Sequence, residues 1–354
     1  MNVDFIILAA GKGTRMGGNS PKVLASLAGK PMIQHLIDTV DSVPSSKTTI
    51  IVGHKGREVE DCIVSSKKLR FINQKSQLGT AHAVKQALSG LRKNSISVVL
   101  YGDAPLVTKN TLNKLVKSAA KGQLSLLTFI KDNPKGYGRI IRGSRNSVKK
   151  ITEHKDASNV EREIKEVNSG ILAIKTSQLQ KFVPSIKNNN AAKEYYLTDL
   201  VEIANNNSIA VAATVCDSYE VGGANDKQEL HDLERAYQKK NAETLLQKGV
   251  SIADTSRIDI RGQTKIGPNS FIDINSVFEG NNTLGANVQV GPNCYISNSI
   301  VKDGTVIYAN TVIEDCIVGS NCKLGPFTRI RGGTELLAGA ELGNFVEANR
   351  TKVG

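Results

Sequence analysis

The chain has 354 residues, 40% of them hydrophobic, enough to bury a full core and to form two domains. Its formal charge of +13 is dispersed, aromatic side chains make up only 5% and tryptophan is absent, which argues against nucleic acid and for anionic small substrates. Five cysteines without a CxxC spacing and five scattered histidines argue against a disulfide framework and a zinc site.

The N-terminus, MNVDFIILAAGKG, has no basic leader and too short an apolar run for a signal peptide or membrane span, so a cytoplasmic protein without a membrane partner is expected. FIILAA (5–10) has the length and β-branched content of a strand covered on both faces, and it gives way at Gly11 to a basic, glycine-rich turn, GKGTRMGGNSPK. That change points to a phosphate site. TTIIVG (48–53), SISVVLYGD (95–103) and LSLLTF (124–129) read as further strands, and AHAVKQALSGL (81–91) and TLNKLVKSAA (111–120) as helices. Alternating strand and helix define an α/β domain over 1–225 with a largely parallel sheet. Ligands in such sheets sit beyond the carboxyl ends of the strands, which places 11–22 and Gly102-Asp103 on one rim.

Residues 226–250 read as a connecting helix, with Asp226 as N-cap candidate, Gly249 past its end, and Leu230, Leu233, Tyr237 and Leu245 as an apolar stripe. From 251 to 354 the period becomes six. Ile266, Ile272, Phe278, Leu284, Val290 and Ile296 keep it, and after one slip near Lys302 it resumes at Val306, Val312, Val318, Leu324, Ile330, Leu336 and Leu342. Such hexads are the mark of a parallel β-helix, here of about four to five coils, with Cys294, Cys316 and Cys322 packed inside.

The turn has neither P-loop nor dinucleotide-fingerprint spacing. LxxGxGTRM followed by PKVL resembles the signature of nucleotide-sugar pyrophosphorylases. QKSQLGTAHA, YGDAPL, GYGRI, EHKDA, EVNSGI, NNNAAKEYYLTD and EVGGAND follow in order. Together with the hexads they resemble the bacterial bifunctional N-acetylglucosamine-1-phosphate uridyltransferase/glucosamine-1-phosphate acetyltransferase family over nearly the whole chain. The resemblance implies a Rossmann-like nucleotidyltransferase domain followed by a left-handed β-helix that forms a homotrimer. It also implies transfer of UMP from UTP to N-acetylglucosamine 1-phosphate, for peptidoglycan and lipopolysaccharide precursors.

In that family Arg15 and Lys22 would neutralise the triphosphate, and Asp103 and Asn225 would hold Mg²⁺. Leu8, Ala9, Ala10, Gly11, Gln74, Gln77, Gly79 and Thr80 would surround the uracil, close to Tyr101 and Gly102. Gly138, Glu153, Asn168, Tyr196 and Thr198 would take the sugar phosphate. The stretch QLGTAHA also reads as a helix start with Thr80 as N-cap. Arg331 matches a family substrate-binding arginine, whereas Asn349 stands where the family usually has lysine. The sequence stops at ELGNFVEANRTKVG and its last histidine is His231, so acetyl transfer is not expected of it. Two alternatives stay open: a nucleotidyltransferase for another sugar 1-phosphate, and a nucleotide-binding β-helix assembly protein.

Overall fold

A computed structural model describes residues 1–11, 16, 20–53 and 55–354. The chain divides into two compact units, one of residues 1–25 and 31–230, the other of 26–30 and 231–354.

The first unit is built on a nine-stranded sheet. Its elements are β1 (Asn2–Ala9), α1 (Met32–Asp41), β2 (Ser46–Val52), α2 (Gly56–Cys62), β3 (Leu69–Asn73), α3 (Thr80–Ala87), β4 (Ser95–Tyr101), α4 (Lys109–Ala120) and β5 (Leu124–Ile130), then β6 (Arg139–Arg142), β7 (Val148–Thr152), α5 (Asn159–Arg162), β8 (Glu166–Lys175), α6 (Thr176–Phe182), α7 (Leu200–Asn206) and β9 (Val211–Val215). The strand order is β9-β5-β8-β4-β1-β2-β3, with the β6–β7 hairpin attached to β8. All central pairs are parallel except those of β8, which runs antiparallel between β4 and β5. The apolar run of β1 is buried because both faces of the sheet are covered: Phe5 and Ile7 join one core cluster, Ile6 the other.

Strand β1 lies between β2 and β4, with Leu8 opposite Ile51 and Tyr101, so the loops after all three emerge on one rim. The register of β8 on β5 shifts between Asn168 and Leu172. The bulge is pinned by the Ser169 hydroxyl, which donates to the Leu127 carbonyl at 2.6 Å, and it turns 168–170 toward that rim.

The helix α8 (Lys227–Gln247), whose residues from His231 on belong to the second unit, begins where Asp226 accepts from the Glu229 N–H at 2.9 Å and ends before Gly249 at φ +84°. Its buried face consists of Leu233, Gln238, Ala242 and Leu245; the expected stripe members Leu230 and Tyr237 are only half-buried. Gln238 substitutes for part of a strand. Its amide donates to the Ile260 carbonyl at 3.0 Å and accepts from the Ile260 N–H at 2.8 Å.

Beyond the helix, short strands stack in parallel columns, the first of six strands. Equivalent positions recur after 18 residues (Ile272 to Val290) or 17 (Val290 to Ile307), as in a parallel β-helix. The column has six rungs, more than the four to five expected, because the rungs begin at Ser251–Ile252 and outrun the clear hexads.

The phase after Ile296 also differs from expectation. The inward residues are Val301, Ile307 and Ile313, whereas Val306 and Val312 are half-buried. In the earlier coils one strand, Ser276–Leu284, runs through a six-residue corner. Later corners are cut by one residue, where Asn298 and Asp315 adopt positive φ between Ser297 and Ile300 and between Glu314 and Ile317. Cys294, Cys316 and Cys322 are buried in the core.

Candidate active site

At the carboxyl end of β1 lies a cavity of about 350 Å³ whose wall includes Leu8, Ala9, Ala10 and Gly11 on one side and Gln74, Gln77, Gly79 and Thr80 on the other. Tyr101, Lys22 and Asp103 complete the sequence-expected part of the lining. Residue Gly102 lies directly behind it, its N–H donating to the Leu8 carbonyl at 2.9 Å. Arg15 lies outside the described residues.

The two amides hold different positions. Gln77 donates through its side chain to the Ala10 carbonyl across the cavity, whereas Gln74 is buried and pairs with the His82 ring at 3.0 Å. Gly79 takes φ +111°, and a Cβ there would lie 2.6 Å from the Tyr195 carbonyl oxygen, so the close crossing of 78–81 over Tyr195 requires glycine. The expected N-cap is corrected by this crossing. Gly79 precedes the helix, Thr80 is its first residue, and the Thr80 hydroxyl accepts from the Leu197 N–H at 3.0 Å instead.

Lys22 follows the turn directly. Its ammonium is paired with the Asp103 carboxylate, and it donates to the Asn225 side-chain oxygen at 2.7 Å. Asn225 is held from behind by Glu229, which accepts from its backbone N–H at 2.7 Å and from its amide at 2.9 Å. Two hard oxygens therefore converge on one cationic centre.

Beside this group lies an acidic patch. Thr198 donates to Glu153 at 3.1 Å, Glu153 faces Gly138, and the Asn168 N–H donates to the Gly138 carbonyl at 2.8 Å. Burial raises the Glu153 pKa, the Thr198 hydrogen bond opposes this, and Asp156 and Glu194 add to the rise. Tyr196 is pushed up to about 12 by burial and then by Asp156 and Glu153. The phenol of Tyr101, between the patch and Asp103, is raised by burial and by both acids, against a hydrogen bond with Thr80. A patch of this kind suits neutral hydroxyl and amide donors.

Four further residues contribute, three of them inside the motifs EVNSGI and NNNAAKEYYLTD and one, Glu229, just beyond EVGGAND. Glu194 lines the cavity. Gly170, at φ +83° in the bulge, lets the Tyr101 ring lie where a Cβ would be 2.3 Å from it. Glu229 orients Asn225, and Asp199 joins the acidic patch with a pKa raised to about 6 by burial and by Glu202, Glu153 and Asp156. Their signal was their position next to the assigned residues, not their type. Among the described residues no group of three or more His, Cys, Asp or Glu is arranged to hold a metal ion, and no helix is long and apolar enough to cross a membrane.

An α/β sheet with Lys22 and a terminal carboxylate on one rim is the arrangement of a nucleotidyltransferase domain, and residues 5–166 match the MobA-like NTP transferase domain family. Residues 260–353 match the GMPPB C-terminal domain family. The chain is also similar to proteins named Bifunctional protein GlmU. It is 43% identical over 278 residues to "Bifunctional protein GlmU" of Francisella philomiragia subsp. philomiragia and 41% identical over the same length to that of Francisella tularensis subsp. novicida. The matched stretch is 78% of this chain and 61% of each relative, so the chain spans less than two thirds of their length. In fold it is similar to apo UDP-glucose pyrophosphorylase, with a TM-score of 0.55 and 16% identity over 68% of this chain and 100% of that one.

Proposed function

We propose that the first unit transfers UMP from UTP to N-acetylglucosamine 1-phosphate, giving UDP-N-acetylglucosamine and pyrophosphate. The observation that carries this reading is the convergence of Lys22, Asp103 and Asn225 next to a cavity walled by the backbone of 8–11 and by two glutamines. In the reaction a sugar-phosphate oxygen forms a bond to the α-phosphorus while the bond to the pyrophosphate oxygen breaks. The nucleophile is already anionic, so the residues align and neutralise and need not remove a proton.

Lys22 would meet the phosphate oxygens. The amides of Gln74 and Gln77, with the backbone of 8–11, offer the mixed donors and acceptors that uracil requires. Glu153, Asn168 and the Gly138 backbone would hold the sugar hydroxyls and acetamido group, and Tyr196 and Thr198 the sugar phosphate. The Asp103 and Asn225 oxygens fit Mg²⁺, which takes one or two protein oxygens and fills its shell with water and phosphate. Bound there, the ion supplies neutralisation of phosphate charge.

We further propose a homotrimer formed through the β-helix. Ile300 and Ile317, partners in adjacent rungs, are both exposed and supply an apolar ladder for the contact. Light scattering that finds only monomer at micromolar concentration removes the trimer. The activity is tested by pyrophosphate release from UTP and Mg²⁺ with N-acetylglucosamine 1-phosphate, glucosamine 1-phosphate or glucose 1-phosphate. Preference for the acetylated sugar is expected; release with none of the three overturns the reading.

A further inference from the structure

Among the described residues Arg139 is the largest fully buried side chain, 1% exposed, and no carboxylate is bonded to it. Its guanidinium donates to the Tyr137 carbonyl and twice to the Arg162 carbonyl at 3.3 Å, and it lies 3.5 Å from the His154 ring. Capping the carbonyl end of α5 satisfies hydrogen bonds, but the counter-charge that acts on the guanidinium is that of Glu163, which is exposed and not bonded to it. A buried unpaired charge is costly, and proteins ordinarily set a counter-charge against it.

Beside Arg139 lies a cavity of about 250 Å³, lined also by Lys135, His154, Arg162 and Lys165, with Asp132 and Glu163 as its acids. Lys165 and Asp132 neutralise each other at 3.1 Å. Neither Lys135 nor Arg162 has an ion-pair partner among the described residues, so three cations face the space against the single carboxylate of Glu163. The same excess is felt by His154, whose pKa is lowered by burial and then by Arg139, Arg162 and Lys135. The volume falls below the range of drug-sized ligand pockets, so the ligand that fits is small.

We propose that this cavity is a binding site for a phosphate-type oxyanion, separate from the candidate active site, with the buried Arg139 guanidinium as its fixed floor and Lys135 and Arg162 as its rim. Three of the five guanidinium N–H groups go to the Tyr137 and Arg162 carbonyls, so the part of the planar fork not spent on them is what an oxyanion can take. The position gives the anion a structural consequence. Arg139 follows Gly138 and His154 follows Glu153, so the strand ends that hold this anion also carry two residues of the acidic patch. An inorganic anion and the phosphate of a small phosphomonoester share the chemistry.

The test is isothermal titration of the full chain with inorganic phosphate, sulfate, pyrophosphate and glycerol phosphate in a chloride background. Wild type is compared with a Lys135→Gln/Arg162→Gln double variant, whose changes are at exposed positions, and with Lys22→Ala. Expected is saturable binding that weakens at least tenfold in the double variant, the loss of two charge-assisted contacts, and persists in Lys22→Ala. Binding of inorganic phosphate but not glycerol phosphate assigns the free ion; binding of both assigns the phosphoryl group. Absence of saturable binding, equal affinity in the double variant, or loss confined to Lys22→Ala overturns the proposal.

Discussion

Lys22 and Asp103, 81 positions apart in the chain, meet as an ion pair at the rim where β1 and β4 end, with both side chains less than a third exposed. The carboxylate is therefore held in place before any phosphate arrives. Asp103→Asn keeps the shape and removes the charge. Pyrophosphate release is expected to fall about 10²- to 10³-fold, the loss typical of one preorganised electrostatic group. The fold should persist, because a half-screened ion pair contributes only about 1 kcal/mol. Circular dichroism alongside the assay separates the two effects, and near-normal release would remove Asp103 from the site.

Gly79→Ala is expected to be costly out of proportion to its one added methyl group. The backbone at φ +111° and ψ 174° lies in a region open essentially to glycine, and occupying it with alanine costs about 1–3 kcal/mol. The Cβ would also press on Tyr195, whose N–H donates to the Leu78 carbonyl at 2.8 Å on the edge of the cavity. Denaturant midpoints should fall and UTP should bind more weakly; unchanged values for both would show that the crossing can relax.

Gln238→Leu should destabilise the second unit. The apolar side chain fills similar space but leaves the buried Ile260 N–H and carbonyl unpaired, at about 1–3 kcal/mol for each group left without a partner. The thermal transition assigned to this unit should drop by several degrees. Gln238→Glu, which sets a buried carboxylate against the Ile260 carbonyl and against Glu234 where the amide now donates to both, should destabilise the unit at least as much as Gln238→Leu at neutral pH.

The acidic patch predicts a pH dependence. The Asp199 pKa rises from 3.8 to about 6 in the folded chain, chiefly through burial, so the folded state holds its proton more tightly than the unfolded state. Stability from this group is fully present below pH 4 and is lost as pH rises toward 6, after which the loss is constant. Asp199→Asn removes the charge and the slope. Relative to wild type the variant should gain about 1 kcal/mol between pH 4 and pH 7, allowing for solvent screening. A constant difference across that interval would show that Asp199 titrates as it does in the unfolded chain.

The hexad period was legible because each rung sends one aliphatic residue inward, yet its phase was not. At Val306-Ile307 and Val312-Ile313 two β-branched residues stand side by side, and only the shortened corners at Asn298 and Asp315 decide that the isoleucines turn inward. In the first unit, β1, β4 and the basic turn announced the rim by the end of an apolar strand. The β8 bulge gave no such notice, because a register shift depends on which strands flank it. For the same reason Thr80 looked like a helix cap: nothing local shows that Leu197 arrives from 117 residues away to use its hydroxyl.

The coil spacing also bears on how the chain folds. The rungs of the second unit pair with ones 17 or 18 residues along, 20 at the first, so their contacts close short loops and can be added one after another. The Lys22–Asn225 contact spans 203 residues and cannot form until nearly all of the first unit has been synthesised. Within the first unit, the pocket chemistry should thus be among the last features to mature. A chain emerging from the ribosome would expose Lys22 without its Asn225 partner until well over half of its residues had been made.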